Sequence, residues 1–133
     1  MTNSLDLKIK KGDLLNADCP SRDILKRLLG RWSLLVLIAL KQETLRFSAL
    51  RRRIGGVSER MLAQTLRHME EDGFIVRIAH DVVPPHVEYY LTPLGCEAET
   101  RVALLAEWLE NNITGIMAHR QAFSAESGRH EEH

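Results

Sequence analysis

The chain has 133 residues, with 44% apolar and 27% charged side chains, enough to bury a core and too apolar for global disorder. Its 18 basic and 18 acidic side chains cancel, which gives no overall attraction to nucleic acid or an anionic membrane. Two cysteines exclude a disulfide framework, and the longest apolar run, LLVLIAL at 34–40, falls far short of a membrane span.

Charge is nevertheless unevenly spread. Residues 1–45 and 46–77 each carry a surplus of three positive charges, and five arginines fall between Arg46 and Arg60. Residues 78–92 are acidic by two and residues 93–133 by four. The middle of the chain is therefore basic and its end acidic, and distribution matters more than the total for a partner that carries phosphate. The opening MTNSLDLKIKKGDLL has no secretory apolar core. A cytoplasmic chain with reduced thiols and no membrane partner is expected.

Residues 1–20 read as a polar arm with Leu5, Leu7, Ile9, Leu14 and Leu15 as docking points. Pro20-Ser21 opens a helix whose apolar stripe is Ile24, Leu25, Leu28 and Leu29, and Gly30 ends it. Arg31 to Lys41 is apolar nearly all round, which predicts a central buried helix. Thr44 to Phe47 reads as a short extended link. Ser48 is placed to cap a helix running to Ile54, with Phe47, Leu50 and Ile54 facing inward. Gly55-Gly56 makes a turn, and Ser58 caps a second helix through Asp72, whose inward residues are Leu62, Leu66 and Met69. Gly73 stands where a left-handed residue ends that helix.

After Gly73 the period changes. FIVRIA (74–79) and VEYYL (87–91) have strand composition, and the tip HDVVPPH between them is too proline-rich for a tight hairpin. Thr92-Pro93 matches a cap followed by proline in the first turn. A long helix follows, with Leu94, Ala98, Val102, Leu105, Leu109, Ile113 and Ile116 in one seam and Trp108 beside it. The tail SAESGRHEEH is polar and reads as disordered. The result is a mostly α, α+β chain in which three helices precede a two-stranded ribbon, the winged helix-turn-helix arrangement. Its parts are an arm at 1–20 that contributes to dimerisation, a DNA-binding domain at 21–92, a dimerisation helix at 93–120 and a disordered tail at 121–133.

Three segments, CPSRDILKRLLGRW, LRFSALRRRIGGVSERMLAQTLRHMEEDGFIVR and PPHVEYYLTPLG, resemble in that order the HxlR-type transcriptional regulators, a branch near the MarR-type winged-helix proteins. The resemblance spans residues 19–108. It implies a dimeric DNA-binding regulator whose first and last helices form the dimer interface. It also implies, at the place of Cys19, a cysteine that in some members senses electrophiles or oxidants. Detoxification or redox enzymes are the targets it suggests.

On the second helix of the turn, inward leucines leave Arg60, Ala63, Gln64 and Arg67 on the opposite side, with Ser58, Glu59 and Met61 near its start. Arg reads guanine O6 and N7, Gln reads adenine N6 and N7, and Met touches a thymine methyl. The N-terminal amides and Ser58 suit phosphate. Arg46, Ser48, Arg51 and Arg52 are candidates for sequence-independent phosphate contacts on the preceding helix. Arg51, Arg52 and Arg53 cannot share one helix face. Arg77 and His86 are candidates on the wing, whose tip lacks the basic residue that HxlR-type regulators tend to carry near His86.

Cys19, before Pro20 and near Arg22 and Lys26, has the cationic setting of a reactive thiol or is a small buried hydrophobe. Cys96 reads as packing. Leu105, Trp108, Leu109, Ile113 and Ile116 are candidates for the dimer surface, because one small domain cannot cover so wide an apolar seam. HEEH at 130–133 is not a metal motif, and no catalytic constellation or phosphate loop is present, so no enzyme, cofactor or metal is expected. The expectation is a homodimeric regulator, a repressor that blocks or repositions polymerase at a near-palindromic double-stranded operator. It is switched by a small electrophile or oxidant at Cys19. The alternatives are a winged-helix protein-interaction module without DNA binding and a small-molecule-responsive regulator independent of Cys19.

Overall fold

The structure is a computed structural model that describes residues 14–131, with side chains through residue 128. Leu5, Leu7 and Ile9 of the arm, and the HEEH side chains, lie outside that description. The described elements are α1 (Pro20–Leu28), α2 (Arg31–Ala39), β1 (Leu45–Arg46), α3 (Phe47–Arg53), α4 (Glu59–Glu71), β2 (Ile75–His80), β3 (His86–Leu91) and α5 (Pro93–Glu131). Two compact units divide at residue 100, and α5 contributes residues to both.

Within the first unit, the core is drawn chiefly from α2, α3 and α4, with Ile75 and Tyr89 added from the strands. Val36, Leu37, Leu40, Leu50, Leu62 and Leu66 are the largest fully buried side chains. At about 1.5–3 kcal/mol for each fully buried aliphatic side chain, these six supply a large share of the driving force for the helical cluster. α3 turns Leu50 and Ile54 inward as its spacing demands, and Gly56 at φ +88° carries the chain to α4.

Capping sets the limits of α4. The Ser58 hydroxyl accepts from the Met61 amide at 3.1 Å, serving one of the amide donors that a helix start leaves open. At the other end Gly73, at φ +84°, donates its amide to the Glu70 carbonyl at 3.1 Å, and the Phe74 amide reaches the Met69 carbonyl at 2.9 Å. That pair of bonds is a Schellman closure, and only a residue tolerant of positive φ fits its middle.

Thr92 then ties the next junction together. Its hydroxyl donates to the Gly73 carbonyl at 2.6 Å and accepts from the Gly95 amide at 3.0 Å, while its own amide bonds the Phe74 carbonyl at 3.1 Å. So α5 starts on the same short segment that ends α4. Gly95 lies directly on that segment, and a side chain there would collide with the Phe74 carbonyl.

Several details depart from the sequence reading. Thr44 to Phe47 is more than a link: β1 pairs antiparallel with β3, Leu45 opposite Tyr89 and Arg46 opposite Glu88, so the sheet has three strands in the order β1-β3-β2. Two residues are too few to show an alternation in sequence, and β1 owes its strand form to its partner. The cap of α3 is Arg46 rather than Ser48, and no side chain bonds the helix start there. α2 is not buried all round, because Leu35 and Ile38 remain 37% and 41% exposed while Val36, Leu37 and Ala39 are covered. The described part of the tail at 121–131 continues α5 as helix instead of being disordered. Its Gln, Ala and Glu residues favour helix and no proline interrupts them. Among the described residues no helix is long and apolar enough to cross a membrane.

Gly95→Ala is expected to lower the unfolding free energy by about 1–3 kcal/mol, since backbone cannot yield to the added methyl as a flexible side chain would. Urea denaturation with an unchanged m-value checks it.

Candidate nucleic-acid interface

Rotation of α4 about its axis is decided by what it buries. Leu62, Leu66 and Met69 are buried, and Thr65 joins them with its hydroxyl bonded to the Met61 carbonyl at 2.8 Å. At 100° per residue this places Arg60, Ala63, Gln64 and Arg67 on the far side, and all four are exposed. Met61, at the flank, is 42% exposed. The second helix of the turn thus presents two guanidinium groups, an amide and apolar contacts outward, with its capped start at Ser58.

The cations differ in how free they are. Arg67 pairs with Glu71 one turn on at 3.4 Å, and Arg51 approaches Glu59 at 3.8 Å. Arg53 pairs with Glu43. No ion pair is described for Arg46, Arg52, Arg60 or Arg77 among the described residues, and all four are exposed. Exposed pairs of this kind contribute about 0–1 kcal/mol, so a phosphate competes with them easily.

Ser48, Arg51 and Arg52 come together in one open cleft of about 430 Å³, with Phe47, Val57 and Glu59 as the other walls. The phosphate candidates of α3 and the start of α4 therefore share one concave surface. A second, smaller cleft of about 180 Å³ is shared by Met61, Gln64 and His68 of α4 with Arg27, Arg31 and Trp32. Arg31 lies over the Trp32 ring at 4.2 Å, a cation held beside Gln64 that sequence spacing did not single out. Its signal was the pair RW at the start of α2, where stacking fixes an otherwise mobile guanidinium. Arg27 instead serves the fold, bonding Asp72 at 3.1 Å and Glu71 at 3.5 Å at the C-terminal end of α4.

On the wing, Arg77 projects from β2 into solvent. His86 does not stand free. Its ring stacks on His80 with centroids 4.5 Å apart, and its Nε2 donates to Glu88 Oε1 at 3.2 Å. His80 Nε2 lies 3.3 Å from the same oxygen. The exposed tip residues, Val82 and Val83, are apolar.

Cys19 is the residue preceding α1, with Pro20 in the first turn, and is only 8% exposed. Its carbonyl accepts from the Arg22 amide at 3.1 Å, whereas the Arg22 side chain is turned to the Leu15 carbonyl at 3.3 Å. Cys96 is exposed rather than packed, and both thiols are free. Its place one turn into α5 suggests packing for Cys96, yet it is exposed there beside the buried Gly95 and Glu99.

Leu105, Trp108, Leu109, Ile113 and Ile116 are 39–59% exposed along α5. α1 has no buried residue at all, and Ile24 and Leu29 of its stripe are 41% and 47% exposed.

Comparison with known proteins agrees with this architecture. The family described as HxlR-like helix-turn-helix matches residues 27–117. The uncharacterized HTH-type transcriptional regulator YtfH of Escherichia coli (strain K12) is 53% identical over 122 residues, which cover 92% of this chain and 97% of that protein. Among solved structures, the transcriptional regulator ytfH from Salmonella typhimurium is similar with a TM-score of 0.79 at 53% identity, over 83% of this chain and 98% of that one. The redox regulator HypR in its oxidized form superposes with a TM-score of 0.64 at 35% identity, over 71% of this chain and 97% of that one. A winged helix-turn-helix chain matched across most of its length, this protein belongs to the HxlR-like helix-turn-helix family of transcriptional regulators.

Proposed function

We propose that the chain is a homodimeric repressor that reads a near-palindromic DNA operator with α4 and is switched through Cys19. One observation carries the DNA part: the outward row Arg60, Ala63, Gln64 and Arg67 lies opposite the buried stripe of the second helix in a helix-turn-helix. Arg60 and Gln64 have the donor geometry to address guanine and adenine edges in the major groove. Arg46, Ser48, Arg51, Arg52 and Ser58 supply phosphate contacts that orient the helix without reading bases. Arg67 joins them after releasing Glu71. Arg77 extends the footprint from β2.

The dimer part rests on uncovered apolar surface. Trp108 at 59% exposure and Leu105 at 53% are too large and too exposed for a helix meant to face water alone, and the α1 stripe is uncovered as well. A second copy packing on Leu105, Trp108, Leu109, Ile113 and Ile116 would set two α4 helices about 34–36 Å apart, one helical turn of DNA. Occupancy of such an operator blocks or repositions polymerase.

The switch part draws on Cys19 at the start of α1 and on HypR, a redox regulator solved in oxidized and reduced forms. Because Cys19 is buried, modification requires local opening around the start of α1. Adding bulk at the start of α1 then shifts a helix whose apolar face belongs to the dimer. A shift of a few ångströms is enough to lose register with both half-sites.

Binding of a duplex operator, followed by fluorescence anisotropy across a salt series, should weaken log-linearly by roughly 0.9 per neutralised phosphate. Arg52→Ala should lower that slope by about one and weaken all sequences alike. Arg60→Ala and Gln64→Ala should relax preference at particular bases by about 1–3 kcal/mol while leaving stability within about 0.5 kcal/mol. Leu66→Ala should instead destabilise by about 2–5 kcal/mol. If affinity is insensitive to both sequence and salt, the chain is a protein-interaction module. Sedimentation should give a dimer at micromolar concentration, and a monomer contradicts the dimer part. Treatment with a thiol oxidant such as diamide should change operator affinity in wild type and leave Cys19→Ser unchanged. An equal response in both proteins removes the switch and favours a small-molecule effector.

A further inference from the structure

We propose that His80, His86 and Glu88 form a site on the wing for a divalent transition-metal ion of the zinc type. The register of the hairpin brings the three together: His80 is paired directly with His86 across β2 and β3, and Glu88 follows His86 by two residues on the same side of the strand. One ligand atom from each lies within 4.8 Å of the others.

Distances are the first argument. Four ligands placed tetrahedrally at zinc bond lengths of about 2.0–2.1 Å stand about 3.3–3.4 Å apart along each edge. Glu88 Oε1 lies 3.3 Å from His80 Nε2 and 3.2 Å from His86 Nε2. Two of the three edges of the ligand triangle are thus already in place, and only the two stacked rings must adjust.

Hydrogen bonding is the second argument. His80 Nε2 is buried without a hydrogen-bond partner among the described residues, because its approach to Glu88 is badly directed. A buried ring nitrogen left unserved carries a desolvation penalty, and a metal ion in line with its lone pair removes it. His86 Nε2 already bonds Glu88 Oε1, whereas His80 Nε2, just as near that oxygen, makes no hydrogen bond among the described residues. The side chains are 36%, 20% and 27% exposed for His80, His86 and Glu88, which leaves solvent access for a water as fourth ligand. Two imidazoles and a carboxylate suit zinc and its first-row neighbours rather than magnesium or calcium.

The site has a consequence for charge. Neutral imidazoles with one carboxylate carry a single negative charge, and binding a divalent ion turns it into a single positive one. The tip between the strands, at 81–85, contains no Lys or Arg, so an ion held here would supply the cation that a wing needs beside phosphate. That consequence rests on the DNA-binding reading above; the site itself does not.

The test uses the full chain, freed of metal by chelation and titrated with zinc sulfate in a calorimeter without DNA. One equivalent per chain is expected in wild type. His80→Asn/His86→Asn and Glu88→Gln, each shown by circular dichroism to be folded, should bind at least about tenfold more weakly. Titration with cobalt gives a second readout, in which nitrogen and oxygen ligation produces d–d bands without thiolate charge-transfer absorption. Equal zinc affinity in wild type and variants, or a thiolate band in wild type, would place the metal on Cys19, Cys96 or the HEEH histidines and overturn the proposal.

Discussion

Burial of Leu62, Leu66 and Met69 under one side of α4 is the constraint on which the reading of this protein turns. A helix of 13 residues has no preferred orientation of its own; its apolar stripe decides which positions face water. With that stripe seated on α2, Arg60 and Gln64 can only point outward. The caps then fix the ends: Ser58 starts the helix after the turn, and the Gly73 closure delivers the chain into β2. Thr92 and Gly95 lock the start of α5 onto the same junction. The end of α4, the start of the wing and the start of α5 are therefore all tied to the few residues around Gly73.

Electrostatics works locally in this chain. A formal charge of zero gives no net pull toward phosphate, yet exposed arginines with no ion pair among the described residues stand on α3, α4 and β2. Where acids do approach, as Glu71 does to Arg67 and Glu59 to Arg51, the pairs are exposed and easily exchanged for phosphate. Arg53 and Arg27 are held by acids that stabilise the fold. The wing is the exception, because its histidines are turned toward Glu88 and its tip is apolar.

Most of the helical framework was legible in the sequence, because periodic leucines, caps and glycines act locally. Ser58, Gly73 and Thr92 each behave as their residue types dictate. What escaped depended on partners distant in sequence. β1 is a strand only because β3 lies beside it, and Ser48 loses the cap to Arg46 because that pairing carries the extended backbone up to the start of α3. The outer face of α2 reads as core by composition, yet Leu35 and Ile38 stay partly exposed among the described residues. The cluster of His80, His86 and Glu88 arises from cross-strand register, which spacing along one strand does not reveal.

Enrichment of bound duplexes from a random-sequence DNA pool tests the central claim most directly, because it asks at once whether bases are read and with what symmetry. The account predicts a near-palindromic motif whose half-sites lie about one helical turn apart, lost from the pool when Arg60 and Gln64 are both replaced by alanine. Recovery of no motif by the wild-type protein, or of the same motif by that double variant, would contradict it.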